Sequence, residues 1–292
     1  MLNQTVFDFP LLLLPVVSFI ISFFTSMAGV SGAFLLLPFQ VSILGFTSPS
    51  VSSTNFLYNI IGCPGGIWRF IKEKRMLWPL AWLISLTTLP GILLGYYFRI
   101  HFFPDPSLFK LFVGCVLLFL SYRLLGAAFS KNNGTTQATD SHFAITATSV
   151  AATSLTFTFH EKTFHVAYGP LGAYCLFIGI IGGIYGIGGG ALIVPFCVSV
   201  LGLPVYTVAG ATLFGTFVAS ISGVLFYSFV PLGQGQVFPP HWVLGGLLGV
   251  GGLLGMNCGA RAQQYVPERA IKFLLALIIF LVGGKYIIAY LL

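Results

Sequence analysis

The chain has 292 residues, 57% of them hydrophobic and only 7% charged, against roughly 25% charged in an ordinary soluble domain. That composition excludes a water-facing globule. The formal charge of +7 does not indicate nucleic acid, because the thirteen Lys and Arg are dispersed at segment ends and form no basic patch with interleaved aromatics.

The 60 residues between Asp8 and Arg69 carry no Asp, Glu, Lys or Arg, and neither do the 98 between Lys162 and Arg261. Runs of this kind predict membrane-spanning helices. The apolar segments are about 11–44, 50–70, 77–98 and 108–128, then 169–202, 206–230, 241–260 and 270–291. The first of them continues past residue 44 with neither a basic leader nor a small-residue cleavage site, so it reads as retained. Both 11–44 and 169–202 are too long for one span at 1.5 Å per residue. Glycines interrupt them at Gly29 to Gly32 and at Gly186 to Gly190, which predicts two short helices in each.

Between the two sets lies the one polar stretch, 129–168. Its first part is loop-like, and Leu155 to Phe159 followed by Phe164 to Val166 predicts a small β-hairpin.

An internal repeat organises these segments. Residues 29–70 align without a gap on 186–227, with eleven identities in 42 pairs, among them Gly29/Gly186, Gly32/Gly189, Pro38/Pro195 and Gly45/Gly202. The expected organisation is a first transmembrane repeat over 1–128, a cytoplasmic linker over 129–168 and a second repeat over 169–292. The fold class is all-α polytopic membrane protein. Each repeat is a broken-helix hairpin plus three transmembrane helices, giving 8 to 10 membrane segments. With hairpins, the loops around 69–75, 121–162 and 261–272 share a side and carry ten Lys or Arg, leaving Arg99, Lys110 and Lys285 opposite. The positive-inside rule then makes the basic side cytoplasmic, and an odd number of crossings per repeat inverts the second copy.

The glycine breaks are the first candidates for chemistry. A helix that starts inside a membrane leaves N–H groups without partners, and in hydrocarbon each costs several kcal/mol. Free N–H donors at the positive end of a helix dipole favour an anion, and glycine lets it approach the backbone. The expected substrate-binding residues are Gly29, Ser31 and Gly32 in the first break and Gly186, Gly188, Gly189 and Gly190 in the second. On the following segments they are Thr54, Asn55 and Asn59, with Thr212 and Thr216 opposite. Asn55 and Asn59 are four apart and share a helix face. Arg69 and Arg261 are candidates for pathway mouths.

No catalytic residue, metal or cofactor is expected. The five cysteines show no metal-ligand spacing, and the five histidines fall in loops or at segment ends. A remote enzymatic reading remains at Ser31, since Gly29-Val-Ser31-Gly32 contains the Gly-x-Ser-Gly string of rhomboid-type intramembrane proteases; a serine nucleophile needs a base within reach, and the spans offer no histidine.

Gly186-Ile-Gly-Gly-Gly-Ala-Leu-Ile-Val-Pro195, Gly202-Leu-Pro204 and Ala209-Gly-Ala-Thr212 resemble the sulfite exporter TauE/SafE family of membrane transporters. The resemblance covers nearly the whole chain outside the linker. The first break is degenerate, with Ser31 and Ala33 where the second has Gly188 and Gly190. The resemblance implies transport of small sulfur-containing anions, sulfite or an organosulfonate, outward across the inner membrane. The alternative is an importer or channel for another small anion. The expected partners are a small anionic substrate and the lipid bilayer, without nucleic acid; a homo-oligomer is compatible with the sequence.

Overall fold

The computed structural model describes residues 10–129, 147–151, 153–159, 162–232, 235–263, 265–266 and 268–291. Helices fall on the apolar runs. They are α1 (Leu13–Met27), α2 (Ala33–Ser42), α3 (Ser50–Lys72), α4 (Trp78–His101) and α5 (Pro106–Phe129), then α6 (Tyr168–Tyr185), α7 (Gly190–Ser199), α8 (Val205–Phe229), α9 (Trp242–Ala262) and α10 (Glu268–Leu291). Six of them are long and apolar enough to cross a membrane, and α1 and α2 are shorter apolar helices. The long helix α3 is more polar than those six. It carries Ser52, Ser53, Thr54, Asn55 and Asn59, all buried by neighbouring helices. In contrast, α10 turns Phe273, Leu277, Phe280, Leu281 and Ile288 outward, where a bilayer would solvate them.

Between the two sets of helices, β1 (Ala147–Val150), β2 (Ser154–Phe159) and β3 (Lys162–Ala167) form an antiparallel sheet in the order β1-β2-β3. The expected hairpin is β2 with β3, in a register that places Phe157 opposite Phe164 with their rings stacked at 5.3 Å. The third strand, β1, was not anticipated. The linker residues 130–146 lie outside the described residues.

Small residues set the helix packing. A Cβ on Gly91 would meet the carbonyl of Leu176, and one on Gly95 would meet the carbonyl of Ile180, with Gly183 Cα at 2.7 Å. Gly251, Gly255 and Gly259 of α9 press in the same way on the carbonyls of Pro15, Phe19 and Phe23 in α1. Spaced four apart on one face, these glycines let backbones approach directly, which drives helix association where the solvent is itself apolar. Gly95→Leu is therefore expected to separate α4 from α6 and to cost about 3 kcal/mol, read as a lowered melting temperature of the detergent-solubilised protein.

The seams also fix direction. Residues 91 and 95 meet 179 and 183, and 251, 255 and 259 meet Pro15, Phe19 and Phe23, so α4 runs parallel to α6 and α9 parallel to α1. The central pair is different: Gly223 meets Phe56, Gly66 meets Leu213 and Gly210 meets Phe70, so α3 and α8 are antiparallel. The outer pair α5 and α10 is antiparallel too, since Gly114 meets Gly283 and Ser121 Oγ donates to Ala276 O. The α6–α7 pair starts from the end that holds the sheet, and α1–α2 starts from the other.

Candidate functional site

Each break is built from glycines in the left-handed region, which a side chain rarely adopts. After α1, Gly29 has φ 77° and donates to Ser26 O at 2.9 Å. Gly32 then precedes α2, and its N–H donates to the hydroxyl of Tyr58 at 3.2 Å. That hydroxyl also pairs with Ser22 Oγ at 2.7 Å. After α6, Gly186, Gly188 and Gly189 have φ of 85°, 68° and 90°. Here the N–H of Gly190 donates to Thr216 Oγ1 at 3.2 Å. In both breaks, then, the following long helix provides a hydroxyl to the start of the short one.

The tips are seated on each other's halves. A Cβ at Gly29 would stand 2.8 Å from Ala209 Cβ, and one at Gly186 would overlap the carbonyl of Ser52 and stand 2.9 Å from its Cα. Ala209 and Ser52 are themselves equivalent in the repeat alignment, as are the two glycines. Each tip thus docks on the first turns of the other half's long helix.

Asn55 joins the two breaks. Its Nδ2 donates to Ala33 O at 2.9 Å and to Gly186 O at 3.2 Å, while its Oδ1 accepts from Gln40 Nε2 at 3.3 Å. Those two carbonyl oxygens lie no farther apart than the two bond lengths combined. Further bonds cross the same interface: Tyr185 Oη donates to Phe34 O at 2.8 Å, and Ser52 Oγ to Ile184 O at 2.9 Å. The second half has Thr212 at the position of Asn55, and its hydroxyl folds back on Val208 O and Ala209 O of its own helix at 3.1 Å each. The bridge is a property of the first half alone.

Several donors remain free at the two breaks and on the long helices that follow them. Among the described residues, the N–H groups of Ser31, Ala33 and Phe34, and of Gly188, Gly189 and Ala191, reach no acceptor in the chain. Asn59 Nδ2 and Ser220 Oγ are buried without a partner. Ser31 is 2% exposed. The described carboxylates with placed side chains, Glu73 and Asp105, stand at helix ends away from the breaks. A region rich in N–H donors, with two helix N-termini and no carboxylate, is electropositive and suits a small anion.

Not every expected residue gathers here. Gly29, Gly32, Asn55, Gly186, Gly190 and Thr216 make the contacts above, and Asn59, Gly188 and Gly189 line the same region. Thr54 lies at the outer start of α3, where its hydroxyl donates to Ser50 O at 2.7 Å and accepts from His241 N at 2.9 Å, tying α3 to α9. Arg69 is ion-paired with Glu73, whose other oxygen is 2.6 Å from Arg75 Nη2. Arg261 is exposed in the last turn of α9. Sequence reasoning did not find Ser22, Ser52 or Tyr185. Tyr185 adjoins Gly186 and was open to notice; Ser22 and Ser52 carry no signal apart from their partners.

The model of the sulfite exporter TauE/SafE family matches residues 14–286. The chain belongs to the TauE/SafE family. The match takes in both glycine breaks, the sheet and all but the last turn of α10. It accords with a multi-pass membrane protein of a transporter family, and six of the described helices are long and apolar enough to cross a membrane. No curated protein and no solved structure matches the TauE/SafE chain at a significant level.

Proposed function

We propose that this TauE/SafE protein exports sulfite or a small organosulfonate across the inner membrane, driven by the membrane potential. The observation that carries the reading is the link that Asn55 makes between the start of α2 and the glycine tip ahead of α7, with free N–H donors at both breaks and no placed carboxylate beside them among the described residues. A tetrahedral or pyramidal oxyanion accepts several such donors at once, and the oriented backbone groups need no rearrangement to hold it. The antiparallel course of α3 against α8 and of α5 against α10 supports two inverted units, 1–128 and 169–292, joined by a cytoplasmic linker. Alternating access then consists of rocking one unit against the other about the glycine tips.

The energetics follow from charge. With the interior negative, each negative elementary charge that leaves the cell releases about 2.3 kcal/mol per 100 mV. A proton-relay carboxylate is not needed for that step. In liposomes holding purified protein and labelled sulfite, an imposed potential is expected to drive sulfite toward the positive side at equal pH. Flux that follows a proton gradient at zero potential, and ignores the potential, overturns the reading. Ser31→Ala is expected to keep most of the flux, as a backbone-lined site predicts and a serine enzyme does not.

A further inference from the structure

Arg99 near the end of α4 is fully buried, at 0% exposure, although it lies where the sequence suggests a loop boundary. Its Nη1 donates to Phe103 O, and its guanidinium lies over the Phe109 ring, 3.8 Å from the centroid. Its Nε and Nη2 are buried without a partner. Among the described residues no carboxylate pairs with it; Asp105, the acid nearest in sequence, accepts from Leu108 N at 3.2 Å. A guanidinium does not lose its proton in a protein, and a buried charge without a counter-ion is heavily penalised.

The two free nitrogens are not arbitrary. Nε and Nη2 form one edge of the guanidinium, the edge that meets two oxygens of a carboxylate, sulfonate or phosphate side by side. Phe103 O and the Phe109 ring fix the plane of the group, so this edge is pre-oriented. One turn before it, the ring of Tyr96 packs tilted against Tyr227 with centroids 4.3 Å apart, and Tyr227 Oη donates to Gly183 O at 2.9 Å. Gly183 is the residue on which Gly95 packs, and it precedes the second break by three positions. Arg99 therefore stands just beyond the contact that leads into that break.

We propose that Arg99 forms a second anion site, at the end of the molecule opposite the sheet, which binds an oxyanion through two of its oxygens. The chemistry fits a free sulfite, sulfonate or phosphate, and equally the phosphate of a lipid headgroup. The site is separate from the one between the breaks and rests on the export reading only for the thought that sulfite passes it.

The test uses full-length protein in detergent, with melting temperature followed against sodium sulfite or sodium phosphate at constant ionic strength. To remove the other site, the titration is done in a Gly189→Leu background. There a saturable rise in melting temperature is expected to persist, to weaken about tenfold in affinity with Arg99→Lys, which keeps the charge but loses the edge, and to vanish with Arg99→Met. Arg99→Met is also expected to melt no lower than its parent without anion, since it removes a buried charge. Native mass spectrometry after exposure to phosphatidylglycerol vesicles separates the sources: phospholipid kept by the parent and lost by Arg99→Met assigns the site to a headgroup. If neither the inorganic oxyanions nor phospholipid distinguish Arg99→Met from its parent, the proposal fails. Failure of export would show instead as absent flux with the Arg99-dependent shift intact.

Discussion

Gly186→Ala is expected to abolish sulfite flux and to lower the melting temperature markedly, although it adds one methyl group. Two costs combine. A side chain at φ 85° carries about 1–2 kcal/mol of backbone strain. The new Cβ also overlaps the Ser52 carbonyl, so α3 and the tip have to part. Gly202→Ala supplies the control: its φ is 65°, yet a Cβ there meets nothing within 4 Å. It should show the strain alone, and the difference between the two variants measures the docking of the tip. Equal losses in both would mean that Gly186 supplies only a turn, and that the seat on Ser52 contributes nothing.

Asn55→Leu should be nearly as damaging, for a different reason. The substitution keeps the volume but leaves Ala33 O, Gly186 O and Gln40 Nε2 without the partner they share. Each buried polar group so orphaned costs about 1–3 kcal/mol, and the two breaks lose one of the links that hold them in register, beside Tyr185 to Phe34 O. Asn55→Asp probes the sign of the field. Its shape is close to that of Asn, but it turns the Nδ2 donor into a carboxylate oxygen facing the carbonyls of Ala33 and Gly186, so it loses the same two bonds and adds a negative charge at the breaks, where it opposes the entry of an anion. Sulfite flux in liposomes is expected to fall at least about tenfold in both variants, with the Asp variant still folding. Normal flux in Asn55→Asp would show that the anion does not pass between the breaks.

The elements of this fold were legible because hydrophobic length and glycine punctuation are local signals. Apolar runs marked the spans, and glycines at 29–32 and 186–190 marked the interruptions. The repeat alignment pairs Gly45 with Gly202, and both have a φ of 65°. Leu155 to Val166 showed its hairpin through simple alternation. The pairing of the tips was hidden, because Gly29 with Ala209 and Gly186 with Ser52 are contacts between distant segments of unremarkable composition. Asn55 stood out as an amide in an apolar run, but its place between both breaks depends on how the halves cross. The burial of Arg99 was not legible in the sequence. A charge at the end of an apolar run ordinarily snorkels to water, and the contacts with Phe103 O and the Phe109 ring that help to bury the guanidinium come from the fold.

The parallel seam between α1 and α9 has a consequence for how the chain is made. Ser18 Oγ donates to Leu248 O at 2.5 Å, across 230 positions of sequence. At synthesis rates of about 5–20 residues per second, the first helix waits on the order of 10–50 s in the bilayer before its partner exists. During that interval Ser18 and the faces of α1 and α3 that pack on α8 and α9 lack those partners, although Ser22 already has Tyr58 and Asn55 already has Ala33 O and Gln40. A chain stopped within the linker is therefore expected to leave uncovered those groups of the first half whose partners lie in the second, Ser18 and Ser52 among them.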